Sequence, residues 1–525
     1  MKQTYGDLTI EAAHAGPGHE RMAALRPTLL EHPKIQEYLA RTRHRLLGFQ
    51  LLDKAKSSDS SDHPDRYRAT IYDYTNNRTI FAEGSLNERD HLSVSESGFQ
   101  PLPTDEEFNA AVSILRGDDR LKVTVSEKGV QIYRPMPPLI PHELADGRIE
   151  RTIAVGLYSK EAGHRIVGVN MIRETVLHEL RDVASPSNDV CGPPAQGDCP
   201  NSSGAERINL NITQGSTLLW TLTVVRPSAS SGTNGSGIEL QHVKYRGKQV
   251  LYRAHVPILN VEYSTEGVKA GCGPTYRDWQ NSETCFQADG NDFAPGFRLC
   301  PSPAKTILDS GSDAGNFKGV AIYVEGQEVV LVTELQAGWY RYISEWRLHT
   351  NGTIRPRFGF AAVNNSCTCK SHHHHAYWRL DFDIETAGNN VAEEFNDPPL
   401  FPPSNWHKKR YEIRRSRDAA HKRKWRVSNA HTGSGYEVIP GANDGAADNY
   451  GVGDVWILHY HGAEIDDGQG FATDPSQSKA HIDNFLNGEL IENQDVVIWY
   501  AGHFLHDQNH GGSHIVGPEL KPFKW

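Results

Sequence analysis

The sequence predicts an α+β protein that is mainly β, with two small N-terminal α+β domains followed by a large antiparallel β-sandwich. Its 525 residues are too many for one hydrophobic core, so several domains are expected. The first part of the chain mixes helical and strand periodicity, whereas strand patterns dominate after a loop rich in Pro, Ser, Gly and Cys. We therefore expect domains at residues 1–125, 126–185 and 186–525.

The first domain is expected to combine helices and strands. Apolar residues recur at helical spacing in ERMAALRPTLLEHPKIQEYLARTRHRLLGF, and RYRATIYDYTNN alternates like a strand that ends in a turn. A further helix should begin near Thr104, because the following Asp-Glu-Glu suits a helix N-terminus. After it, LKVTVSEKGVQIYRP predicts a hairpin around Lys128-Gly129.

The second domain should contain a pair of strands. RTIAVGLYSKEAGHRIVGVNMIRETV alternates twice around a glycine-containing turn. Beyond residue 207, short β-branched and aromatic runs are separated by Gly and Asn turns, which is typical of a large antiparallel sandwich. The predicted strands there read INLNITQ, TLLWTLTVV, GIELQHVKY, QVLYRAHVPI, GVAIYVEGQEVVLVTEL, WYRYISEWRLH, HAYWRLDFDI and DVVIWYAGHFLH.

Composition excludes several classes of function. A net charge of -11 is small for this length and argues against a nucleic-acid surface or an anionic-membrane surface, both of which need a basic field. No run approaches about 18 apolar residues, so no membrane span is expected. The opening MKQTYGDLTIEAAHAG lacks the apolar stretch of a secretory leader. We expect a soluble protein and assign no compartment.

The seven cysteines are clustered in predicted loops, which suits local disulfides. Their odd number leaves at least one thiol free or metal-bound. Cys367 and Cys369 stand beside a histidine run and offer a zinc site as a minor alternative, because four-ligand zinc sites usually show CxxC spacing.

The segment SHHHHAYWRLDFDI contains four consecutive histidines at the start of a predicted strand. Alternation places His372 and His374 on one face and His373 and His375 on the other. Two imidazoles at this spacing can hold one metal ion from a rigid sheet, and imidazole suits copper or zinc. The alternative is a solvated polar strand end.

Two further segments carry candidate residues. GELIENQDVVIWYAGHFLHDQNHGG runs from a buried strand into His503, His506 and His510, any of which could complete a metal site, and periodicity does not choose among them. LQAGWYRYISEWRLHTNGTI carries Tyr340 within an aromatic strand, where a packing role is the ordinary interpretation.

These three segments resemble the copper-containing amine oxidases in their order and context. In that family a cofactor tyrosine lies in a strand reading roughly NYDY, followed by a tryptophan-containing run and an NG turn. A HxH pair then precedes an arginine and LDxD, and a segment close to IENxDVVVWY precedes a third histidine. The matching residues here are Trp339-Tyr340-Arg341-Tyr342, Glu345-Trp346, Asn351-Gly352-Thr353-Ile354, His372, His374, Arg379, Leu380-Asp381, Asp383 and 491–500.

The similarity covers most of the chain and is strongest from residue 237 onward, where GIELQHVKYRGKQVLYRAHVPILNVEY, WRVSNAHTGSGYEVIP and HIVGPELKP also resemble family segments. The resemblance implies copper ligands His372, His374 and His506, and a homodimer. It also implies that Tyr340 becomes a trihydroxyphenylalanine quinone (topaquinone). Such an enzyme converts a primary amine and O2 to an aldehyde, ammonia and hydrogen peroxide.

The resemblance also implies a peripheral calcium site and a catalytic base. The calcium ligands would be Asp381, the carbonyl of Phe382, Asp383 and Asp495, with surface strand carboxylates as the alternative. An aspartate removes the substrate proton in the family. Asp278 in YRDWQ is the first candidate for this base, and Glu266 is the second.

Cys285 and Cys300 would match the family disulfide.

The sequence departs from the family pattern beside the cofactor tyrosine. Asn and an acidic residue normally flank it, whereas Trp339 and Arg341 stand here. These residues favour two alternatives to an amine oxidase. One is a copper-binding protein on the same scaffold without the quinone, and the other is a copper oxidase acting on a substrate that is not an amine.

Overall fold

The computed structural model describes the chain in separate ranges. They are residues 1–17, 19–52, 56, 64–88, 91–126, 129–136, 138–140, 142–159, 163–178, 191–195, 199, 204–262, 275–369, 371–468, 479–506 and 515–525. Within these ranges no helix has both the length and the apolar character needed to cross a membrane.

Two large sheets dominate the described part of the chain. Eleven strands form the first large sheet, in the order β1 (Lys2–Tyr5), β2 (Leu8–His14), β13 (Arg207–Gln214), β14 (Thr217–Val225), β15 (Glu239–Tyr245), β16 (Lys248–Glu262), β24 (His372–Phe382), β31 (Val496–His506), β30 (Val455–His459) and β27 (Ile413–Arg415), with β17 (Thr275–Arg277) beside β16.

The second large sheet has twelve strands in the described ranges. Their order is β18 (Asn291–Ala294), β19 (Phe297–Leu299), β20 (Val320–Glu325), β21 (Glu328–Ala337), β22 (Tyr340–His349), β23 (Ile354–Ala362), β33 (Glu519–Phe523), β29 (Gly435–Ile439), β28 (Lys424–Asn429), β25 (Asn390–Phe395) and β26 (Trp406–Lys409), with β32 (Ile515–Val516) beside β23. All its pairings are antiparallel except that of β19 with β20.

The core lies between these two sheets. Leu240 and Ile498 of the first sheet and Val332 and Phe358 of the second belong to one cluster of buried apolar side chains. Because alternate residues of a strand face opposite sides, each sheet supplies one apolar face to this cluster. The predicted large antiparallel sandwich is confirmed.

A small sheet lies in the first part of the chain. Helices α1 (His19–Leu30) and α2 (Pro33–Leu39) pack on β3 (His44–Leu52), β4 (Arg66–Asp73), β5 (Arg78–Ser85) and β6 (Leu92–Ser97). The helical pattern is confirmed in α1 and α2 but is wrong for residues 44–49, which belong to β3, and the strand expected at RYRATIYDYTNN is confirmed as β4. They bury a core of their own that includes Met22, Ile35 and Ile71.

A second small sheet follows, with its own helices. Its strands are β12 (Thr175–Leu177), β11 (Gly163–Asn170), β10 (Thr152–Ser159) and β7 (Gln131–Tyr133), covered by α3 (Asp105–Gly117) and α4 (Lys122–Ser126). A two-stranded ribbon, β8 (His142–Glu143) and β9 (Ile149–Glu150), lies between β7 and β10 in the chain. The short helix α5 (Ile307–Ser310) lies in the large domain, between β19 and β20.

Helix α3 begins as expected, because Thr104 caps it by accepting a hydrogen bond from the Glu107 amide at 3.2 Å.

The hairpin expected at LKVTVSEKGVQIYRP is wrong in its first half, which forms α4 instead of a strand. Leu121 and Val125 lie four residues apart and both pack into the core of the second small sheet. Burial of this helical face therefore outweighs the strand propensity of the β-branched residues.

Strand pairing and helix packing at the start of the chain bear on where the domains begin. Strand β2 pairs with β13 and β1 pairs with β2, so both join the large sheet, while α3 packs on the second small sheet. We propose that residues 1–14 belong with the large domain and that the second small domain begins near residue 104.

Disulfide pairing also differs from the family pattern. Cys199 bonds to Cys285 and Cys191 bonds to Cys369, while Cys300 is a buried free thiol. The pairing of Cys285 with Cys300 is therefore wrong, and so is the zinc alternative, because the Cys369 sulfur is already bonded. Cys272 lies outside the described residues.

Candidate metal centre

Two neighbouring strands bring the histidines together. Strands β24 and β31 are antiparallel partners of eleven residues each, and His372 lies opposite His506. His372, His374 and His506 are fully buried between the two large sheets, whereas His373 is about half exposed. The alternation predicted for the histidine run is thus what the structure shows.

The three buried rings converge on one point. His372, His374 and His506 each offer a ring nitrogen, and these nitrogens all lie within 4.8 Å of one another. Three neutral imidazoles held by a rigid sheet suit copper or zinc. The donor set therefore fits a copper ion, which His372, His374 and His506 would hold.

The other candidate histidines do not join this group. His375 and His503 face the opposite side of the sheet, where their Nδ1 atoms lie 2.9 Å apart. Burial, followed by the charge of His503, lowers the pKa of His375 to about 3, so this ring is neutral at physiological pH. His510 lies outside the described residues.

Tyr340 approaches the histidines from the second large sheet. It begins β22, is fully buried, and places its hydroxyl oxygen 3.1 Å from Nδ1 of His372. Phe360 on β23 packs edge-to-face on its ring at a centroid distance of 5.0 Å. The predicted cofactor tyrosine and the three histidines are therefore neighbours across the sandwich.

A second tyrosine occupies the same face. Tyr342 lies two residues beyond Tyr340, and its hydroxyl oxygen is 3.3 Å from Nδ1 of His374. Since Nδ1 of both His372 and His374 contacts a tyrosine hydroxyl, Nε2 is the nitrogen that each ring offers to a metal. The sequence motif contains Tyr342 but did not assign it to the site, although the two-residue period of a strand was a signal for it.

Asp278 lies at the end of this chain of contacts. Its carboxyl group is fully buried and accepts a 2.5 Å hydrogen bond from the Tyr342 hydroxyl. Burial raises the pKa of Asp278 to about 8, and the bond from Tyr342 opposes this rise. The first candidate base is therefore close to the metal centre, while Glu266, the second, lies outside the described residues.

The two unusual neighbours of Tyr340 have different surroundings. Arg341 forms a buried two-pronged ion pair with Asp313, at 2.5 and 3.0 Å, and also donates to the Tyr340 carbonyl at 3.0 Å. Trp339 is buried and lies edge-to-face against Tyr340 at a centroid distance of 6.0 Å. Arg341 thus anchors the backbone of Tyr340, and Trp339 packs beside its ring.

A methionine from the second small domain packs against the turn before Tyr340. Gly338 has φ of +58°, and a Cβ atom there would lie 2.4 Å from Cγ of buried Met136. Only glycine suits both the left-handed backbone and this close approach.

The expected calcium ligands converge, but a lysine occupies their centre. One oxygen each of Asp381, Asp383 and Asp495 lie within 4.8 Å of one another. Lys56 Nζ lies 2.7, 2.5 and 2.8 Å from these oxygens, respectively. A calcium ion would need the same position, at about 2.3–2.6 Å from the same atoms. The calcium expectation therefore does not fit this arrangement.

Ionisation of this cluster reflects its burial and crowding. Burial, followed by the charge of Asp381, raises the pKa of Asp383 to about 8, and burial likewise raises that of Asp495 to about 7. Burial lowers the pKa of Lys56, but the three carboxylates outweigh it and hold that pKa above its usual value. Lys56 is therefore an ammonium ion in this cluster.

Comparison with solved structures finds the same architecture in three fungal amine oxidases. A copper-containing benzylamine oxidase from Hansenula polymorpha has a TM-score of 0.60 and 12% identity, covering 98% of this chain and 93% of that one. The lysyl oxidase of Pichia pastoris gives 0.59 and 12%, covering 96% and 89%. An amine oxidase from Aspergillus nidulans gives 0.56 and 12%, covering 97% and 88%.

Sequence comparisons add no relative. No protein-family model matches the chain, and no curated protein matches it by sequence. At 12% identity the likeness concerns the fold. The fold of this chain is therefore the fold of these amine oxidases.

Proposed function

We propose that this protein is a divergent copper-containing amine oxidase. It would convert a primary amine, O2 and water to an aldehyde, ammonia and hydrogen peroxide, with a quinone formed from Tyr340. One observation carries the proposal: three buried imidazoles face one point, and the hydroxyl of Tyr340 lies 3.1 Å from one of them. A packed strand does not need three buried histidines and a tyrosine hydroxyl at such a point.

The copper site is supported by its donors. His372 and His374 come from β24 and His506 from β31, so the sheet holds all three before any metal arrives. Copper bound there would supply the chemistry with oxygen that modifies a tyrosine ring. The protein contributes burial, which excludes bulk water, and a fixed position for Tyr340.

The catalytic base we propose is Asp278. Through Tyr342 it is linked to His374, because the Tyr342 hydroxyl lies 2.5 Å from the Asp278 carboxyl and 3.3 Å from the His374 ring. A buried carboxyl with a raised pKa takes up a proton readily near neutral pH. Asp278 would remove the proton from the substrate carbon next to nitrogen, and Tyr342 would orient it.

Two alternatives rest on Trp339 and Arg341. Their bulk beside Tyr340 favours either a copper-binding protein that forms no quinone or a copper oxidase that acts on another substrate. The Arg341 guanidinium, however, is paired with Asp313 at 2.5 Å and lies on the opposite strand face from the Tyr340 ring. Because the Arg341 side chain points away from the Tyr340 ring, the amine oxidase remains our first proposal. A homodimer is part of this proposal, and sedimentation at micromolar concentration measures it.

The test is reconstitution of the metal-free protein with Cu²⁺ in air. We expect a coloured adduct with phenylhydrazine and a mass gain from added oxygen on the peptide that carries Tyr340. Benzylamine and a lysine-like amine then serve as substrates, with hydrogen peroxide as the measured product.

Matched variants separate the three functions. Tyr340→Phe should abolish the adduct and retain copper, whereas Tyr342→Phe should retain the adduct. Tightly bound copper beside an unchanged Tyr340 would support the binding protein. An intact quinone without peroxide from any amine would support the other oxidase. Failure to bind copper would overturn all three.

A further inference from the structure

We propose that Lys56 is a built-in cation that takes the place of a divalent metal ion in a carboxylate cradle. The cradle is formed by Asp381, Asp383 and Asp495. The chain would then need no calcium there, and removal of Lys56 would create a calcium site. This inference is independent of the quinone and of any enzymatic activity.

The first support is the contact geometry. Lys56 Nζ touches all three carboxylates, at 2.7 Å from Asp381, 2.5 Å from Asp383 and 2.8 Å from Asp495. The ammonium group donates hydrogen bonds to Asp381 and Asp495, and it forms an ion pair with Asp383. The ammonium therefore satisfies the cradle in the way that a metal ion satisfies its ligands.

The second support is burial. The Lys56 side chain is 6% exposed and that of Asp381 is 0% exposed, so this is an internal ion cluster and not a surface salt bridge. Tyr252 and Tyr460 face the ammonium, with ring centroids 4.9 and 4.3 Å from Nζ. Two aromatic faces add cation–π attraction and make the cavity specific for a cation.

The third support is where the cradle lies. Asp381 and Asp383 are at the end of β24 and just beyond it, and Asp495 immediately precedes β31. These two strands carry the candidate copper histidines at their other end, about 30 Å away along the ladder. A cation in the cradle thus joins β24 to β31 while leaving the histidines untouched.

Lys56 itself comes from the segment between β3 and β4 of the first small domain. A lysine in the cradle therefore also binds that domain to the large sheet. A free metal ion would provide no such covalent link. The same charge would then serve two purposes, neutralising the carboxylates and docking the small domain.

The test compares the copper-loaded full-length protein with its Lys56→Ala and Lys56→Gln variants. Calcium binding is measured by equilibrium dialysis with ⁴⁵Ca²⁺, and thermal unfolding is followed in EGTA and in CaCl2. For the wild type we expect no calcium bound through the cradle and the same Tm in both buffers. Each Lys56 variant should bind one more calcium ion than the wild type and should recover Tm when calcium is added.

Two controls assign the effect to the cradle. Asp383→Asn in the Lys56→Ala background should remove the extra calcium ion. Lys248 lies on β16 of the first large sheet, contacts Glu385, and has a side chain that is 44% exposed. Lys248→Ala should therefore create no calcium site.

Either of two results would overturn the proposal. One is calcium binding by the wild type that Asp383→Asn abolishes, which would mean that the ion displaces Lys56. The other is the absence of added calcium binding in both Lys56 variants. The wild-type measurement decides the matter even if the variants do not fold.

Discussion

At the scale of single residues, the four histidines of β24 divide between two environments. His372 and His374 face Tyr340 and Tyr342, while His375 faces His503 on the other side of the sheet. The division follows from the two-residue period of a strand, which the sequence already contains. The strand face on which a histidine lies, and not its residue type alone, therefore decides whether it faces the candidate metal site.

Copper content tests this division. His506→Ala removes one ligand of the triad, so we expect at least a tenfold loss of copper affinity. His503→Ala removes an equally buried histidine of the same strand from the opposite face and should retain one copper per chain. Metal analysis after dialysis measures both variants. Equal copper loss in both would contradict the proposed ligand set.

The pH profile tests Asp278. Its pKa is raised to about 8, so the carboxylate form needed for proton removal increases as the pH rises through that value. We expect kcat/KM for an amine to rise with pH and to level off above about pH 8. Asp278→Asn should lower kcat/KM by about 10²–10⁴-fold on the plateau above about pH 8 and should remove the rise with pH.

Tyr342→Phe is the matched variant for this profile. The Tyr342 hydroxyl donates to Asp278 and so favours its ionised form. Its removal should move the midpoint of the profile to higher pH. A midpoint that stays in place would show that another group controls the profile.

At the scale of elements, β22 is held in position by residues on both of its faces. Tyr340 and Tyr342 point to the metal centre, and Arg341 points away and pairs with Asp313. The sequence predicted the strand itself. It did not reveal the partner of Arg341, because Asp313 lies in a loop whose path depends on packing.

Stability of Arg341→Ala tests the anchoring of β22. The change leaves the buried Asp313 carboxylate without its guanidinium, which should cost about 3–5 kcal/mol in the free energy of unfolding. Arg66→Ala removes a 56% exposed arginine paired with Glu83 and should cost less than about 1 kcal/mol. Denaturant unfolding followed by tryptophan fluorescence gives both values. Similar costs in the two variants would refute the anchoring role.

At the scale of the whole molecule, two disulfides join distant segments of the large domain, and a side-chain contact attaches the second small domain to it. Cys191–Cys369 spans 178 residues and Cys199–Cys285 spans 86. Both bonds tie the segment after the second small domain to the large domain. Met136 against Gly338 makes another such contact, next to the candidate cofactor tyrosine.

Peptide mapping without reduction tests the disulfide arrangement. Among the cysteines that the structure describes, we expect two linked peptide pairs, Cys191 with Cys369 and Cys199 with Cys285. Cys300 should be alkylated only after unfolding, because its thiol is buried. A peptide pair joining Cys285 to Cys300 would refute this arrangement.

The sequence by itself determined the strand-rich second half, the helix that begins after Thr104 and the face on which His372 and His374 lie. Each of these depends on the spacing of a few neighbouring residues, because backbone geometry sets the direction in which each side chain points. Periodicity left His503 and His506 open as the third histidine, and the tertiary structure places His506 and not His503 beside this pair. It also decided that Tyr342 meets Asp278 and that Lys56 fills the carboxylate cradle. These contacts join residues far apart in the chain, and their formation depends on how whole sheets pack, which no local pattern records.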